Sequence, residues 1–193
     1  NRTTNSVDTI FAADCEFGYR SSIFKSQPDT WVILSVTFQL PLGDLSAPIG
    51  YTELANKLGV DLDSRVQAKD VRSAVLELRS AKGMVIDPTD HDTWSVGSFF
   101  MNPRVTAAPE AAPSWPEADG TVKVSAAWLI EQSGFTKGFS LNGRAALSSK
   151  HTLAITNRGS ATSTDISELA DHIVQGVKAK FDIELKPEAT FIS

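Results

Sequence analysis

Ser98 stands in the stretch HDTWSVGSFFMNP (residues 91–103), between Gly97 and the pair Phe99 and Phe100, with Trp94 upstream and Asn102 and Pro103 downstream. A serine hydroxyl is a weak acid and a weak base, so chemistry at such a position has to come from placement. A rigidly held donor can pass one proton to a defined face of a substrate. Nucleophilic catalysis has less footing, because VGSFF lacks the Gly-x-Ser-x-Gly spacing of a hydrolase elbow and the sequence pairs no histidine with it. Read alone, the motif is first of all a turn: Gly97 supplies backbone freedom, the two phenylalanines anchor a core, and Ser98 bonds local backbone.

The elements that must position this residue follow from periodicity. TWVILSVTFQLPL (30–42) alternates Val32, Leu34, Val36, Phe38 and Leu40 against Ile33, Ser35, Thr37 and Gln39, the pattern of a strand closed by Pro41 and Gly43. YTELANKLG predicts a short helix stopped by Gly59. AKDVRSAVLELRSAKG predicts a longer one with Val71, Val75 and Leu78 on one face and Gly83 as its stop. The Pro- and Ala-rich run 103–120 reads as a surface connection, since each proline removes a donor and restricts its predecessor. Beyond it come a helix over 124–134 and a strand over HTLAITN (151–157). A helix over 164–181 follows, with Ile166, Leu169, Ile173, Val177 and Phe181 in one stripe and Asp165 and Glu168 at capping-box spacing. DIEL and EATFIS close the chain as short strands around Pro187. The mixed order, without repeats, gives an α+β or α/β class.

Composition narrows the partners. The 193 residues carry 18 Lys and Arg against 23 Asp and Glu, a net charge of −5. That balance gives no basic stripe for nucleic acid. The single cysteine, Cys15, cannot form an internal disulfide, no Cys and His cluster has zinc-ligand spacing, and a reducing, cytoplasmic setting is expected. No apolar run reaches 18 residues, so no membrane partner is expected. The polar opening NRTTNSVDTI, without an initiator Met, leads us to expect a fragment.

Five segments in order, DCEFGYRSSIFK (14–25), VGSFFMNP (96–103), AAWLIEQSGFTKG (126–138), SSKHTLAITNRG (148–159) and LKPEATFIS (185–193), resemble the C-terminal half of the UDP-N-acetylenolpyruvoylglucosamine reductase (MurB) family over nearly the whole chain. The Tyr-Arg-x-Ser-x-Phe-Lys segment resembles the subclass whose tyrosine loop folds over the substrate. The resemblance implies a flavoenzyme of peptidoglycan precursor synthesis. In it NADPH reduces FAD, and the flavin gives a hydride to the enolpyruvyl double bond of a UDP-sugar substrate.

It also implies roles. Ser98 would donate the proton that completes the reduction, and Glu188 would polarise or position the enolpyruvyl carboxylate. Tyr19, Lys82, Asn102 and His151 would bind the sugar nucleotide. Without the resemblance, Lys82 is a helix C-terminal cation, Asn102 a turn residue, and His151 a surface residue opening a strand. The implied fold is the tail of an FAD-binding (PCMH-type) domain over 1–84, a small α+β substrate-binding domain over 85–182, and a terminal strand over 183–193 returning to the flavin side. The glycine-rich phosphate loop and the arginine for the substrate carboxylate are expected in a missing N-terminal half, and no cofactor-binding residue is assigned here. The alternative is an isolated UDP-sugar-binding module without redox activity.

Overall fold

The computed structural model describes residues 1–18 and 20–191. It divides into two compact units, Asn1–Gly43 and Asp44–Ser193. The first contains a 3₁₀ turn over Ala12–Cys15 and one helical turn, α1 (Ile23–Ser26). The strand expected over 30–42 has no ladder partner among the described residues, and its apolar side chains face outward, with Leu34 73% and Phe38 77% exposed. The alternation is real. A strand nevertheless needs a neighbour along its length to take its N–H and C=O groups, and among the described residues only Thr30 at its start meets one, its carbonyl accepting from the Arg2 N–H at 2.7 Å.

The second unit opens with α2 (Thr52–Leu58) packed on α3 (Ala68–Ala81). Both predicted stops hold. Gly59 takes a left-handed conformation at the end of α2, and Gly83 does so just past α3 with φ of 69°. At Gly83 glycine is required twice over, because a Cβ there would lie 2.8 Å from the carbonyl oxygen of Asp92.

The Pro- and Ala-rich run is more ordered than its composition suggests. It contributes β1 (Arg104–Val105) and β2 (Ser114–Pro116), which flank β3 (Val122–Val124) in an antiparallel sheet of order β1-β3-β2. Pro116 is tolerated because β2 is an edge strand, where a missing donor leaves no ladder bond broken. Glu117, just past β2, ties the other two strands, bonding Arg104 of β1 at 2.6 Å and Lys123 of β3 at 2.9 Å.

The remainder forms the core. Helix α4 (Ala126–Gln132) starts at Ser125, whose hydroxyl accepts from the Trp128 N–H. β4 (Ala145–Leu147) and β5 (Ile155–Asn157) pair antiparallel, and α5 (Ser163–Phe181) packs on α4, β4 and β5. The predicted stripe of α5 is the buried one: Leu169, Ile173 and Val177 meet Phe100, Leu129, Ile130, Leu147 and Leu185. The cap sits three residues earlier than the sequence suggested. Thr162 is the first member of the box and Asp165 the second, each side chain accepting from the other's backbone N–H. Among the described residues the expected terminal strands reduce to one bridge, Phe100 with Pro187. Among the described residues all ladders are antiparallel, with α4 between β3 and β4 and α5 after β5, a mixed α+β arrangement.

Candidate functional site

Residues 98–101 run between two backbone partners. On one side the Phe99 N–H donates to the Leu153 carbonyl at 2.7 Å. On the other the Met101 N–H donates to Lys186 at 3.0 Å, and the Glu188 N–H donates to Phe99 at 2.7 Å. Phe99 and Phe100 are buried at 3% and 1% exposure, in edge-to-face contact with centroids 5.2 Å apart. Gly97, at φ of 85°, lets the chain turn into this segment. Ser98 is thus fixed from both flanks, and its own side chain remains half-buried.

The histidine that the sequence did not pair with Ser98 is supplied by the fold. His151 lies 53 positions away, and its Nε2 stands 3.4 Å from the Ser98 Oγ, a long hydrogen bond. Burial holds the His151 imidazole below its ordinary pKa, and Lys82 and Lys137 push the same way, against Glu131. The ring is therefore neutral at pH 7. A neutral imidazole at this contact accepts from the serine hydroxyl or donates to it according to tautomer.

The remaining expected residues occupy varied settings. Glu188 is half-buried, its backbone joined to the Ser98 strand through Phe99. Lys82 follows α3 and pairs with Glu53 at 2.6 Å, both side chains about half exposed at 41% and 57%. Its charge nonetheless reaches His151. An exposed pair of this kind holds weakly, so an incoming anion can compete for the ammonium group. Asn102 commits its side-chain oxygen to the Ala126 N–H at 2.9 Å, completing the start of α4. Only its amide NH₂ end is suited to a ligand oxygen. Tyr19 lies outside the described residues.

An open cleft of about 800 Å³ borders this region, walled by Trp94, Val96, Phe99, Ile155, Ile166 and Phe191, with Ala189 beside Glu188. Its surface is mostly apolar, which suits a flat aromatic group more than a phosphate. Among the described residues no helix is long and apolar enough to cross a membrane, and no group of three or more His, Cys, Asp and Glu is placed to hold a metal ion.

Sequence reasoning passed over Asp92, Ser149 and Arg158. The Asp92 carboxylate is buried and accepts from the Ser149 N–H at 3.0 Å, from the Ser149 hydroxyl, and from Arg158 Nη1 at 2.9 Å. Burial raises its pKa, and these donors outweigh that and hold it below the ordinary range. The one signal available beforehand was the acidic cluster DPTDHD (87–92) directly before the serine motif.

A model of the UDP-N-acetylenolpyruvoylglucosamine reductase C-terminal domain matches residues 87–192. A relative from Cutibacterium acnes named UDP-N-acetylenolpyruvoylglucosamine reductase is 50% identical, with 99% of this chain and 53% of that protein covered. One of the same name from Streptomyces avermitilis is 49% identical, covering 97% of this chain and 56% of that protein. The chain spans about half the length of the curated relatives it matches. A crystal structure of the Thermus caldophilus reductase is 25% identical over 66% of this chain and 38% of that one. Its TM-score is 0.35, too low for its geometry to carry weight here.

Proposed function

The chain belongs to the UDP-N-acetylenolpyruvoylglucosamine reductase family, and from that premise we propose that it is part of a cytoplasmic, NADPH-dependent flavoenzyme of peptidoglycan precursor synthesis. The full enzyme reduces the enolpyruvyl ether of UDP-N-acetylglucosamine to UDP-N-acetylmuramate. Residues 1–84 are the tail of its FAD-binding domain, 85–182 the substrate-binding domain, and 183–193 the return to the flavin side. The unpartnered alternation over 30–42 supports the first assignment, because it is a strand's pattern without a sheet.

The observation that carries the reading is the fixing of Ser98 by backbone bonds on both flanks, beside a neutral His151 and the strand that bears Glu188. FAD, when bound, would supply the hydride, and the apolar cleft walled by Trp94, Val96 and Phe99 suits its flat ring. Hydride added to one alkene carbon builds enolate-like charge toward the carboxylate. Glu188 orients that end, and Ser98 transfers its hydroxyl proton to the other carbon. Gly97 lets the backbone approach the ligand, and the buried phenylalanines keep the hydroxyl from swinging away. Lys82, the Asn102 amide, His151 and Tyr19 bind the sugar nucleotide.

Rapid-mixing absorbance of the flavin in the full-length protein tests this. Ser98→Ala should leave reduction by NADPH nearly intact and slow reoxidation by the enolpyruvyl substrate by ~10²- to 10⁴-fold, with Ser98→Cys keeping part of the rate. Reoxidation of the Ala variant at the parent rate would return Ser98 to the role of a turn residue. A full-length preparation that binds the sugar nucleotide, holds no flavin and shows no flavin band would favour the binding-module alternative.

A further inference from the structure

We propose that Asp92 is a positioning residue of this site: it holds the turn over 148–151 so that His151 stands against Ser98. The proposal rests on the reading of Ser98 and His151 as site residues. Three consecutive residues of that turn are handled in three ways. Ser149 is gripped through both its N–H and its hydroxyl by the Asp92 carboxylate. Lys150 is gripped through its ammonium group by Asp90 at 2.5 Å. His151 is left to face Ser98 at 3.4 Å.

The turn has its own internal bonds, since the buried Ser148 hydroxyl accepts from the N–H groups of Lys150 and His151 at 3.0 and 3.3 Å. Those bonds fix its shape. The turn also joins β4 to β5, with the Ser148 N–H donating to the Ala154 carbonyl at 2.8 Å, and Asp92 adds a hold on Ser149 from outside this hairpin. Asp92 is itself fastened on three sides. Its N–H donates to Asp90 at 2.9 Å, Arg158 at the end of β5 neutralises its charge at 2.9 Å, and its carbonyl lies against Gly83, next to Lys82. Asp92 therefore sits where the segments that carry Lys82, Ser98 and His151 meet, its backbone carbonyl against Gly83 and its carboxylate on Ser149. A buried charge is expensive to retain in a surface domain unless its bonds are all met, as they are here.

The test reads His151 directly. In the full-length protein the imidazole proton signals are followed by NMR against pH, with His151 identified by its loss in His151→Gln. The charged groups acting on the ring, Lys82, Lys137 and Glu131, are left in place. In Asp92→Ala the turn should loosen toward water, so the titration midpoint of His151 should rise toward the ordinary histidine value. Reoxidation of reduced flavin by the enolpyruvyl substrate should fall by up to about 100-fold, the scale of a misplaced reacting group, with reduction by NADPH unchanged. Ser149→Ala removes the hydroxyl bond from the other partner and should move the His151 midpoint the same way by less, which keeps the test open if Asp92→Ala folds poorly. A merely structural role would lower the melting temperature and leave the His151 midpoint where it is. That result in both variants overturns the proposal. A shifted midpoint in a protein whose parent does not turn over the sugar nucleotide would instead sink the proposed reaction and leave the positioning role standing.

Discussion

Two apolar segments, 30–42 and 97–101, look alike in composition and meet opposite fates. The first alternates cleanly, has no ladder partner among the described residues, and leaves Leu34, Phe38 and Leu40 at 73%, 77% and 76% exposure. The second has poorer strand grammar, with a glycine and a serine in front, yet it is bonded on both flanks and buries Phe99 and Phe100 almost completely. Side-chain pattern alone does not make a strand. Neighbours able to accept and donate along the backbone do. A catalytic hydroxyl needs the second situation, because placement is all it has to offer.

The most severe way to break the comparison is to empty the buried side of it. Phe100→Ala removes a ring at 1% exposure that packs on Phe99 and the α4 and α5 core. It should cost about 3–5 kcal/mol, a large share of the ~5–15 kcal/mol available to a domain. Urea unfolding should show the midpoint falling with little change in slope. A loss under about 1 kcal/mol would mean that the segment is not anchored as described.

The sequence made the helices legible and the site only partly so. α3 and α5 announce themselves because a helix face buried against one neighbour repeats every three or four residues, and the stripe Leu169, Ile173 and Val177 is buried as read. The sheet β1-β3-β2 was hidden, since its edge strands sit in a proline- and alanine-rich run where periodicity is too short to register. Ser98 was found through its motif. His151 enters only through the family resemblance and Asp92 not at all, because their partners lie 53, 57 and 66 positions away and such contacts leave no local spacing. Conversely, 30–42 is legible as a strand and forms no ladder among the described residues, since alternation alone supplies no neighbour.

Lys82 offers a sharper cut on the site side of the comparison. Its partner Glu53 is exposed, so losing that pair should scarcely change folding. If Lys82 meets the diphosphate, Lys82→Ala in the full-length protein should weaken binding of the sugar nucleotide by about 1.5–3 kcal/mol, through loss of a charge-assisted contact. Calorimetric titration checks it. An unchanged affinity removes Lys82 from the site.

Acid should act on the buried side through the cap of α5. Bonds from Arg144, then from the Thr162 N–H and hydroxyl, then from Asn142, hold the Asp165 carboxyl well below the usual carboxylate range. A depressed folded value means that the stabilisation is present above the unfolded pKa of about 3.9 and is lost as pH falls below it. Between pH 5 and pH 2 the parent should therefore lose more of its thermal stability than Asp165→Asn, which has no charge to lose there. Parallel melting curves for the two proteins over that range would remove Asp165 as an acid-sensitive anchor.

The smallest effect is expected where the comparison is most exposed to refutation. Leu34→Ser in this 193-residue chain replaces a side chain that is 73% exposed, so unfolding should shift by no more than about 0.5 kcal/mol. In the full-length protein the same change should cost about 1.5–3 kcal/mol, the worth of a buried leucine, if the segment there lies in a sheet with its Val32, Leu34 and Val36 face covered. Thr37→Ala, on the opposite face, controls for effects on the strand's own propensity. A difference between short and long proteins at Leu34 alone would show that the strand is encoded here and completed elsewhere. Equal, negligible costs in both would mean that the alternation over 30–42 is not a strand's, and the reading of residues 1–84 as the tail of a larger domain would lose the observation that supports it.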